Sequence, residues 1–244
     1  MTIGDGQPPA GSGAGVGAGA GAGAGAGSAA GAGAGADAGT GAAGVGAKAS
    51  LRRRILGARA GLPAEQRAAA GSALRDAVLG LPEAQMAGTA AVYYSIGSEP
   101  GTHGLVYALW KRGTYVLLPV LRPDMDLDWA SYEGPDLLRA GPRGLTEPAE
   151  PPRGVAAVSR ADLVIVPALA VDRRGMRLGR GGGSYDRALA RVGPQVPTIA
   201  LLYDAELLDE IPAAPHDQRV RLVARPESGI TRLPYELPFS SPLP

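Results

Sequence analysis

A glycine-rich loop between arginines is the segment whose residue types are best suited to chemistry. It contains Arg177, Gly179, Arg180 and the three glycines at 181–183, and a carboxylate follows at Asp186. Glycine lets backbone amides approach phosphate oxygens because no Cβ stands in the way, and an arginine side chain donates two parallel hydrogen bonds to a phosphate. A helix that begins just after the loop directs its positive end at the same point. This order of parts fits a nucleotide polyphosphate and its metal ion.

Two well-known phosphate motifs do not match the loop. A Walker A loop requires Lys followed by Ser or Thr after its last glycine, whereas this loop continues with Ser184 and Tyr185. A dinucleotide fingerprint opens the first βα unit of its domain, and this loop comes late in the chain. Taken alone, the glycines fit a tight turn that packs a helix closely against a strand equally well.

Composition divides the chain into a tail and a folded part. Residues 1–47 are mostly Gly and Ala with almost no large apolar side chain, so they bury too little apolar surface to offset the roughly 1–2 kcal/mol per residue of backbone entropy that ordering costs. We expect a disordered tail over 1–47, one domain over 48–230 and a short Pro-rich tail over 231–244. The sequence shows no signal-peptide pattern and no apolar run of the roughly 20 residues that span a bilayer, which predicts a soluble, cytoplasmic protein.

Two further features of the composition exclude classes of function. The chain has no cysteine, which excludes disulfides, thiolate metal sites and a cysteine nucleophile. Its net charge of +1 argues against nucleic acid as the main partner.

The hydrophobic pattern after residue 48 predicts an α/β fold. Helices are expected over 48–60 and from Pro63 to about Leu79. Short runs that are mostly apolar on both faces predict buried strands, and the runs cover 89–95, 114–120, 162–168 and 197–203. Helical patterns at 102–112 and 184–192 lie between strands, so we predict a three-layer α/β/α, Rossmann-like single domain with a mainly parallel sheet. Residues 127–132 fit an edge strand or hairpin, and 134–158 fit a long surface connection.

Unusual polar residues follow several of the predicted strands. Residues 95–100 (SIGSEP) follow the first strand, the glycine loop follows the strand at 162–168, and His216 and Asp217 come after the last one. Because ligands of open α/β sheets bind beyond the carboxyl ends of the strands, one pocket is expected to collect all three groups.

The residues around the loop resemble a known family. Residues 167–172 (PALAVD) and 175–186 (GMRLGRGGGSYD) are similar to the hallmark segment of the 5-formyltetrahydrofolate cyclo-ligase family, also called 5,10-methenyltetrahydrofolate synthetase. The resemblance extends to 48–52 (KASLR), 94–100, 144–148 (GLTEP) and His216-Asp217. Val171, Ser184 and Arg221 depart from the family's pattern. The matching segments together span about residues 48–226.

The resemblance implies an enzyme of folate and one-carbon metabolism. It would close the ring of 5-formyltetrahydrofolate to give 5,10-methenyltetrahydrofolate, with ATP as co-substrate and Mg²⁺ as cofactor, releasing ADP and phosphate. The expected partners are therefore 5-formyltetrahydrofolate and ATP, with no nucleic acid and no membrane, and the protein is expected to be a monomer.

Site roles also follow from the resemblance, position by position. The residues that it assigns to ATP are Lys48, Arg52, Arg177, Leu178, Gly179, Arg180, Gly181, Gly182, Gly183, Ser184 and Tyr185. The residues that it assigns to the folate are Tyr94, Glu99, Arg180, Gly181, Gly182, Gly183 and Ser184. Arg177 and Arg180 are the expected catalytic residues, and Asp186 and Asp217 are the expected metal ligands.

Several of these residues suit purely structural roles as well. Lys48 and Arg52 lie four apart on one helix face, as in any solvated basic face. Asp186 also suits a helix N-terminus, Asp217 suits a turn, and Glu99 suits the start of a helix. Tyr185 fits core packing as well as a ligand contact.

Two other functions are compatible with a phosphate-binding loop. One is a nucleotide-binding regulatory protein that has lost folate turnover. The other is an enzyme of sugar-phosphate or CoA chemistry, which has no need for the combination of Lys48, Glu99 and Asp186.

Overall fold

The computed structural model of the protein describes residues 37–234. In chain order, the helices and strands are α1 (Asp37–Ala60), α2 (Ala64–Leu79), α3 (Pro82–Met86), β1 (Thr89–Val92), α4 (His103–Lys111), β2 (Tyr115–Leu121), β3 (Leu127–Ser131), β4 (Leu138–Ala140), β5 (Thr146–Pro148), β6 (Leu163–Pro167), β7 (Ala170–Asp172), β8 (Arg177–Leu178), α5 (Ser184–Leu189), β9 (Thr198–Leu201), β10 (Leu207–Leu208), β11 (Leu222–Arg225) and β12 (Gly229–Arg232). Short 3-10 turns lie between several of them.

Helix α1 begins earlier than the sequence pattern predicted. The expected helix starts at Lys48, whereas α1 starts at Asp37, inside the Gly/Ala-rich segment assigned to the tail. Adding turns to an existing helix costs less than nucleating a new one, and the four alanines of 37–47 favour the extension, whereas the four glycines in that segment oppose it. The rest of the predicted N-terminal tail, residues 1–36, lies outside the described residues.

A seven-stranded sheet forms the centre of the domain. Its order is β12-β11-β9-β6-β1-β2-β3, and β11, β9, β6, β1 and β2 run parallel. The predicted edge strand is confirmed as β3, which pairs antiparallel with β2. The opposite edge, β12, pairs antiparallel with β11 and was not predicted. It extends past residue 230, the predicted end of the domain.

Both faces of the sheet are covered, as the strand pattern predicted. Ala90 and Val92 of β1 pack into a core cluster with Leu74 of α2 and Leu105 of α4. Ala91, which points to the other face, packs into a second cluster with residues of α5 and of the 3-10 turn at 155–160. The predicted three-layer α/β fold is therefore confirmed.

A small second sheet connects the central sheet to the glycine loop. It has the order β10-β7-β8, and β7 begins three residues after the end of β6. Ile55 of α1 packs on it together with Leu169, Leu178 and Ile211. This sheet fixes α1 beside the segment that enters the glycine loop.

The predicted surface connection at 134–158 also contains ordered strands. β4 and β5 form a two-stranded sheet, and the carboxylate of Glu147 in β5 accepts a hydrogen bond from the Leu121 amide at the end of β2 (2.9 Å). This contact holds the connection against the central sheet. No helix within residues 37–234 is both long and apolar enough to cross a membrane.

Candidate active site

A cavity of about 520 Å³ lies at the carboxyl ends of β1, β2 and β6, where an open α/β sheet binds ligands. Every site residue predicted from the sequence lines it: Lys48, Arg52, Tyr94, Glu99, Arg177, Leu178, Gly179, Arg180, Gly181, Gly182, Gly183, Ser184, Tyr185, Asp186 and Asp217. The expectation that a single pocket collects three separate polar segments is thus confirmed.

The glycine loop connects β8 to α5 and is held by α1. Gly181 and Gly183 have φ angles of +106° and +66°, a region that L side chains rarely adopt, so glycine is favoured at both positions. Arg52 on α1 donates from Nε to the carbonyl of Gly179 (2.9 Å). The loop conformation and the position of α1 are therefore coupled.

Lys48 forms an ion pair with Asp217 across the cavity. The distance from Nζ to Oδ2 is 2.6 Å, and the same oxygen accepts a hydrogen bond from the Ala214 amide (2.8 Å). Burial raises the pKa of Asp217, but the hydrogen bonds from Lys48 and Ala214 and the charge of Lys48 outweigh it, so the pKa lies below its usual value. Asp217 is therefore a carboxylate at neutral pH.

Arg177 forms a second ion pair, with Asp186. Its Nη2 lies 2.7 Å from Oδ1, an oxygen that also accepts from the Gln218 amide (3.1 Å). The Arg177 side chain is 3% exposed, and its buried Nε–H has no hydrogen-bond partner among the described residues. Burial lowers the pKa of Arg177 in spite of the opposing charge of Asp186. An unpaired buried donor costs about 1–3 kcal/mol, which an anionic ligand oxygen would offset.

A third pair, between Arg180 and Glu99, joins the glycine loop to the segment after β1. Arg180 Nε lies 3.3 Å from Glu99 Oε1, and Glu99 Oε2 accepts from the Ile96 amide (3.0 Å). The Arg180 side chain is 51% exposed, whereas that of Glu99 is 10% exposed. Glu99 is therefore the fixed partner and Arg180 the one that can turn toward a ligand.

The two predicted tyrosines occupy different settings. Tyr94 stacks on His103, with ring centroids 4.1 Å apart, and His103 Nε2 lies 2.9 Å from the carbonyl oxygen of Ser95. Tyr185 lines the cavity and also packs against both core clusters, so it is at once a core residue and part of the cavity wall. Burial and the charge of Glu99 raise the pKa of its hydroxyl, which stays protonated.

The cavity has an apolar side that the sequence did not reveal. Its members come from the β2–β3 hairpin and the segment before β5: Pro119, Leu121, Met125, Leu127 and Leu145. The same lining also carries Lys48, Arg52, Arg177 and the two aspartates. We call the first group the apolar side of the cavity and the second group its charged side.

Arg59 was also missed, although a signal for it existed. It lies 7 residues after Arg52 on α1, a spacing that returns to the same helix face. The side chain is 2% exposed and donates to both oxygens of Glu206 (2.7 Å each) and to the carbonyl of Ala168 (2.7 Å). Arg59 therefore ties α1 to the end of β6.

Asp186 and Asp217, the two carboxylates that the resemblance assigns to a metal ion, both line the cavity. They are neighbours in space, because the amide of Gln218, next to Asp217, donates to Asp186. Residues 37–234 contain no cluster of three or more His, Cys, Asp or Glu side chains that would enclose a metal. Two carboxylates suit Mg²⁺, which commonly takes one or two protein carboxylates together with phosphate oxygens and water.

Comparisons with known proteins point to one family. A model described as the 5-formyltetrahydrofolate cyclo-ligase family matches residues 45–226. The chain is 42% identical over 193 residues to the 5-formyltetrahydrofolate cyclo-ligase of Mycolicibacterium smegmatis, covering 77% of this chain and 97% of the relative. It is 32% identical over 171 residues to that of Escherichia coli, covering 69% and 94%. Among solved structures, the 5,10-methenyltetrahydrofolate synthetase of Aquifex aeolicus matches with a TM-score of 0.68 and 25% identity, over 80% of this chain and 97% of that one.

Proposed function

The chain belongs to the 5-formyltetrahydrofolate cyclo-ligase family, and from this premise we propose that it uses ATP and Mg²⁺ to convert 5-formyltetrahydrofolate to 5,10-methenyltetrahydrofolate in the cavity described above. The observation that carries the proposal is the two-sided cavity. Its charged side suits a polyphosphate and a divalent cation, and its apolar side suits a flat ring system.

The reaction needs a good leaving group. N10 of the folate must attack the formyl carbon on N5, but that carbon would then have to lose its oxygen as hydroxide. In the proposed mechanism the formyl oxygen first attacks the γ-phosphorus of ATP, and ADP leaves. N10 then bonds to the activated carbon, the C–O bond breaks, phosphate leaves with the original formyl oxygen, and N10 gives up its proton.

The residues of the charged side are suited to align the triphosphate. Lys48, Arg52 and Arg177 present cationic donors, and the unpartnered Nε of Arg177 accounts for one further hydrogen bond to a phosphate oxygen. Mg²⁺, when bound at Asp186 and Asp217, offsets charge on the phosphates. Alignment of two bound reactants is worth effective molarities of roughly 10⁵–10⁸ M, so no activated nucleophile on the protein is required.

The ion pairs give the nucleotide a way to bind without leaving buried charges unpaired. Lys48 and Arg177 are held by Asp217 and Asp186. Lys48 and Arg177 would turn to phosphate oxygens of the nucleotide, and Asp217 and Asp186 would then be free to hold Mg²⁺. Each charge thus exchanges one opposite partner for another, which avoids the several kcal/mol that an uncompensated buried ion costs.

Glu99 and Arg180 form the third ion pair of the cavity. Glu99 is suited to accept hydrogen bonds from the N–H groups of the pterin, and Tyr94 lines the same cavity. In the same exchange, a pterin on Glu99 releases Arg180 toward the phosphoryl group that is transferred. Arg180 and Arg177 are therefore the proposed catalytic residues, which act by offsetting negative charge in the transition state.

The test is ADP release by purified protein. We expect release that requires Mg²⁺, ATP and 5-formyltetrahydrofolate together, with 5,10-methenyltetrahydrofolate formed in equal amount by chromatography. Release of ADP at the same rate with and without 5-formyltetrahydrofolate contradicts the proposal and favours a nucleotide-binding protein without folate turnover. Release that needs the folate but not Mg²⁺ contradicts only the metal assignment.

A further inference from the structure

Met125 adopts a backbone conformation that its residue type disfavours. It lies in the β2–β3 turn with φ = 64°, and its amide closes the turn onto the carbonyl of Arg122 (3.0 Å). Hairpin turns usually place Gly or Asn at such a position, because other side chains there cost about 1–3 kcal/mol. A methionine kept in a strained position is a reason to ask what its side chain does.

The Met125 side chain reaches the glycine loop. Its terminal methyl lies 3.1 Å from the point where a Cβ on Gly182 would stand, and the side chain lines the cavity. On the same side of the cavity lie Leu121 and Leu127, from the two strands of the hairpin. The methionine therefore extends the apolar side of the cavity across to the glycine loop.

The turn is fastened to the helix that follows the loop. Arg187 Nη2 donates to the carbonyl of Met125 (2.6 Å), and Arg191 makes two hydrogen bonds to the carboxylate of Asp126 (3.0 and 2.6 Å). These contacts come from α5 and the residues just after it, and they hold the turn at Met125 and at its neighbour. The position of the Met125 side chain relative to the glycine loop is thus fixed by the fold.

From these observations we infer that Met125 is a specificity-determining residue for the folate substrate. Its thioether packs against the ring system of the reduced pterin beside the glycine loop, since methionine makes favourable contacts with flat rings. The inference rests on the proposed function, because it concerns the second substrate of the same site. It assigns a purpose to the strained backbone: the strain is the cost of presenting a side chain where glycine would be more stable.

The test compares four variants by steady-state kinetics and thermal unfolding. Met125→Ala and Met125→Gly both remove the side chain, but only glycine relieves the backbone. We expect both to raise KM for 5-formyltetrahydrofolate about tenfold, which corresponds to roughly 1.4 kcal/mol, with KM for ATP unchanged. The glycine variant should unfold roughly 2–4 °C above the alanine variant. Met125→Leu, which keeps an apolar side chain of similar size, should stay close to wild type, as should Arg122→Ala in the same turn, an exposed residue that does not line the cavity.

Two outcomes overturn the inference. One is a folate KM that stays at the wild-type value in both the alanine and the glycine variant. The other is a folate KM that is raised by alanine but restored by glycine, because kinetics would then follow the backbone and not the side chain. Failure of the proposed function itself looks different, since wild-type protein would then release no ADP in response to 5-formyltetrahydrofolate.

Discussion

Replacement of Asp186 by asparagine leaves the buried Arg177 guanidinium without its negative partner. The Arg177 side chain is 3% exposed and the Asp186 side chain 19% exposed, with 2.7 Å between Nη2 and Oδ1. Removing one member of a fully buried pair costs about 3–5 kcal/mol. Because water reaches part of Asp186, we expect a loss of about 2–3 kcal/mol in the free energy of unfolding, or a fall of roughly 4–12 °C in the melting temperature.

Replacement of Arg177, the other member of this ion pair, is expected to reduce the free energy of unfolding by less. Arg177→Met removes the more buried charge and leaves Asp186, which is partly solvated and still accepts from the Gln218 amide. We expect the free energy of unfolding to fall by about 1 kcal/mol. In the double variant no charge is left unpaired, so stability should return close to that of the wild type, as when a buried ion pair is replaced as a whole.

The assay for this cycle is urea unfolding of ligand-free protein, followed by ADP release with both substrates. Stability should recover in the double variant while turnover stays lost, since both residues belong to the proposed site. This separation distinguishes a role in catalysis from a role in folding. The reasoning is refuted if Asp186→Asn is as stable as the wild type, or if the double variant loses the sum of the two single losses.

Three further predictions concern single features. Glu99→Gln should raise KM for 5-formyltetrahydrofolate about 10- to 100-fold with KM for ATP unchanged, because a hydrogen bond to a charged group is worth about 1.5–3 kcal/mol. A folate KM that stays at the wild-type value in steady-state kinetics would remove Glu99 from the proposed substrate site. The pKa of Asp217 is lowered from its usual 3.8, so its contact with Lys48 should stabilise the fold above pH 3.8, and this stability should be lost as the pH falls through the lowered pKa. The measurement is the free energy of unfolding of the wild type and of Asp217→Asn as a function of pH. Two curves that stay parallel through this range contradict the assignment. Deletion of residues 1–36 should leave kcat/KM within about twofold of the full-length value, whereas deletion of 1–52 should abolish turnover because it removes Lys48 and Arg52, the proposed phosphate-binding residues. Equal kcat/KM of the two truncated proteins argues against the proposed role of these two residues.

Local chemistry made the glycine loop readable from the sequence. Its glycines are recognisable because Gly181 and Gly183 take positive φ angles that other residues rarely adopt. Arg177 and Asp186 are recognisable because their charge is a property of the residue type and does not depend on long-range contacts. The apolar runs of the central strands were equally informative, because a strand buried on both faces has a continuous apolar sequence that can be recognised without knowing its neighbours in the sheet.

Long-range pairing was not readable from the sequence. Lys48 and Asp217 are 169 residues apart, and no local pattern specifies that they meet. The strands of the small sheet have two or three residues each, too few to show a period. The proposed role of Met125 was not predictable for another reason. Tight hairpin turns are recognised by Gly or Asn at the left-handed position, and this turn has a methionine there.

The buried contact between Arg59 and Glu206 fixes the rotation and the axial position of helix α1 as well as the side chain of Arg59. Each residue added to an α-helix rotates everything beyond it by about 100° and shifts it by about 1.5 Å. With Arg59 anchored, the number of residues from Lys48 to Arg59 decides which side chains of α1 enter the cavity. Insertions or deletions within that span would turn Lys48 and Arg52, the proposed phosphate-binding residues, away from the cavity, whereas changes of length before Lys48 would leave their direction unchanged. Relatives of this enzyme should therefore vary freely in the length of the segment ahead of the helix and keep the spacing inside it constant.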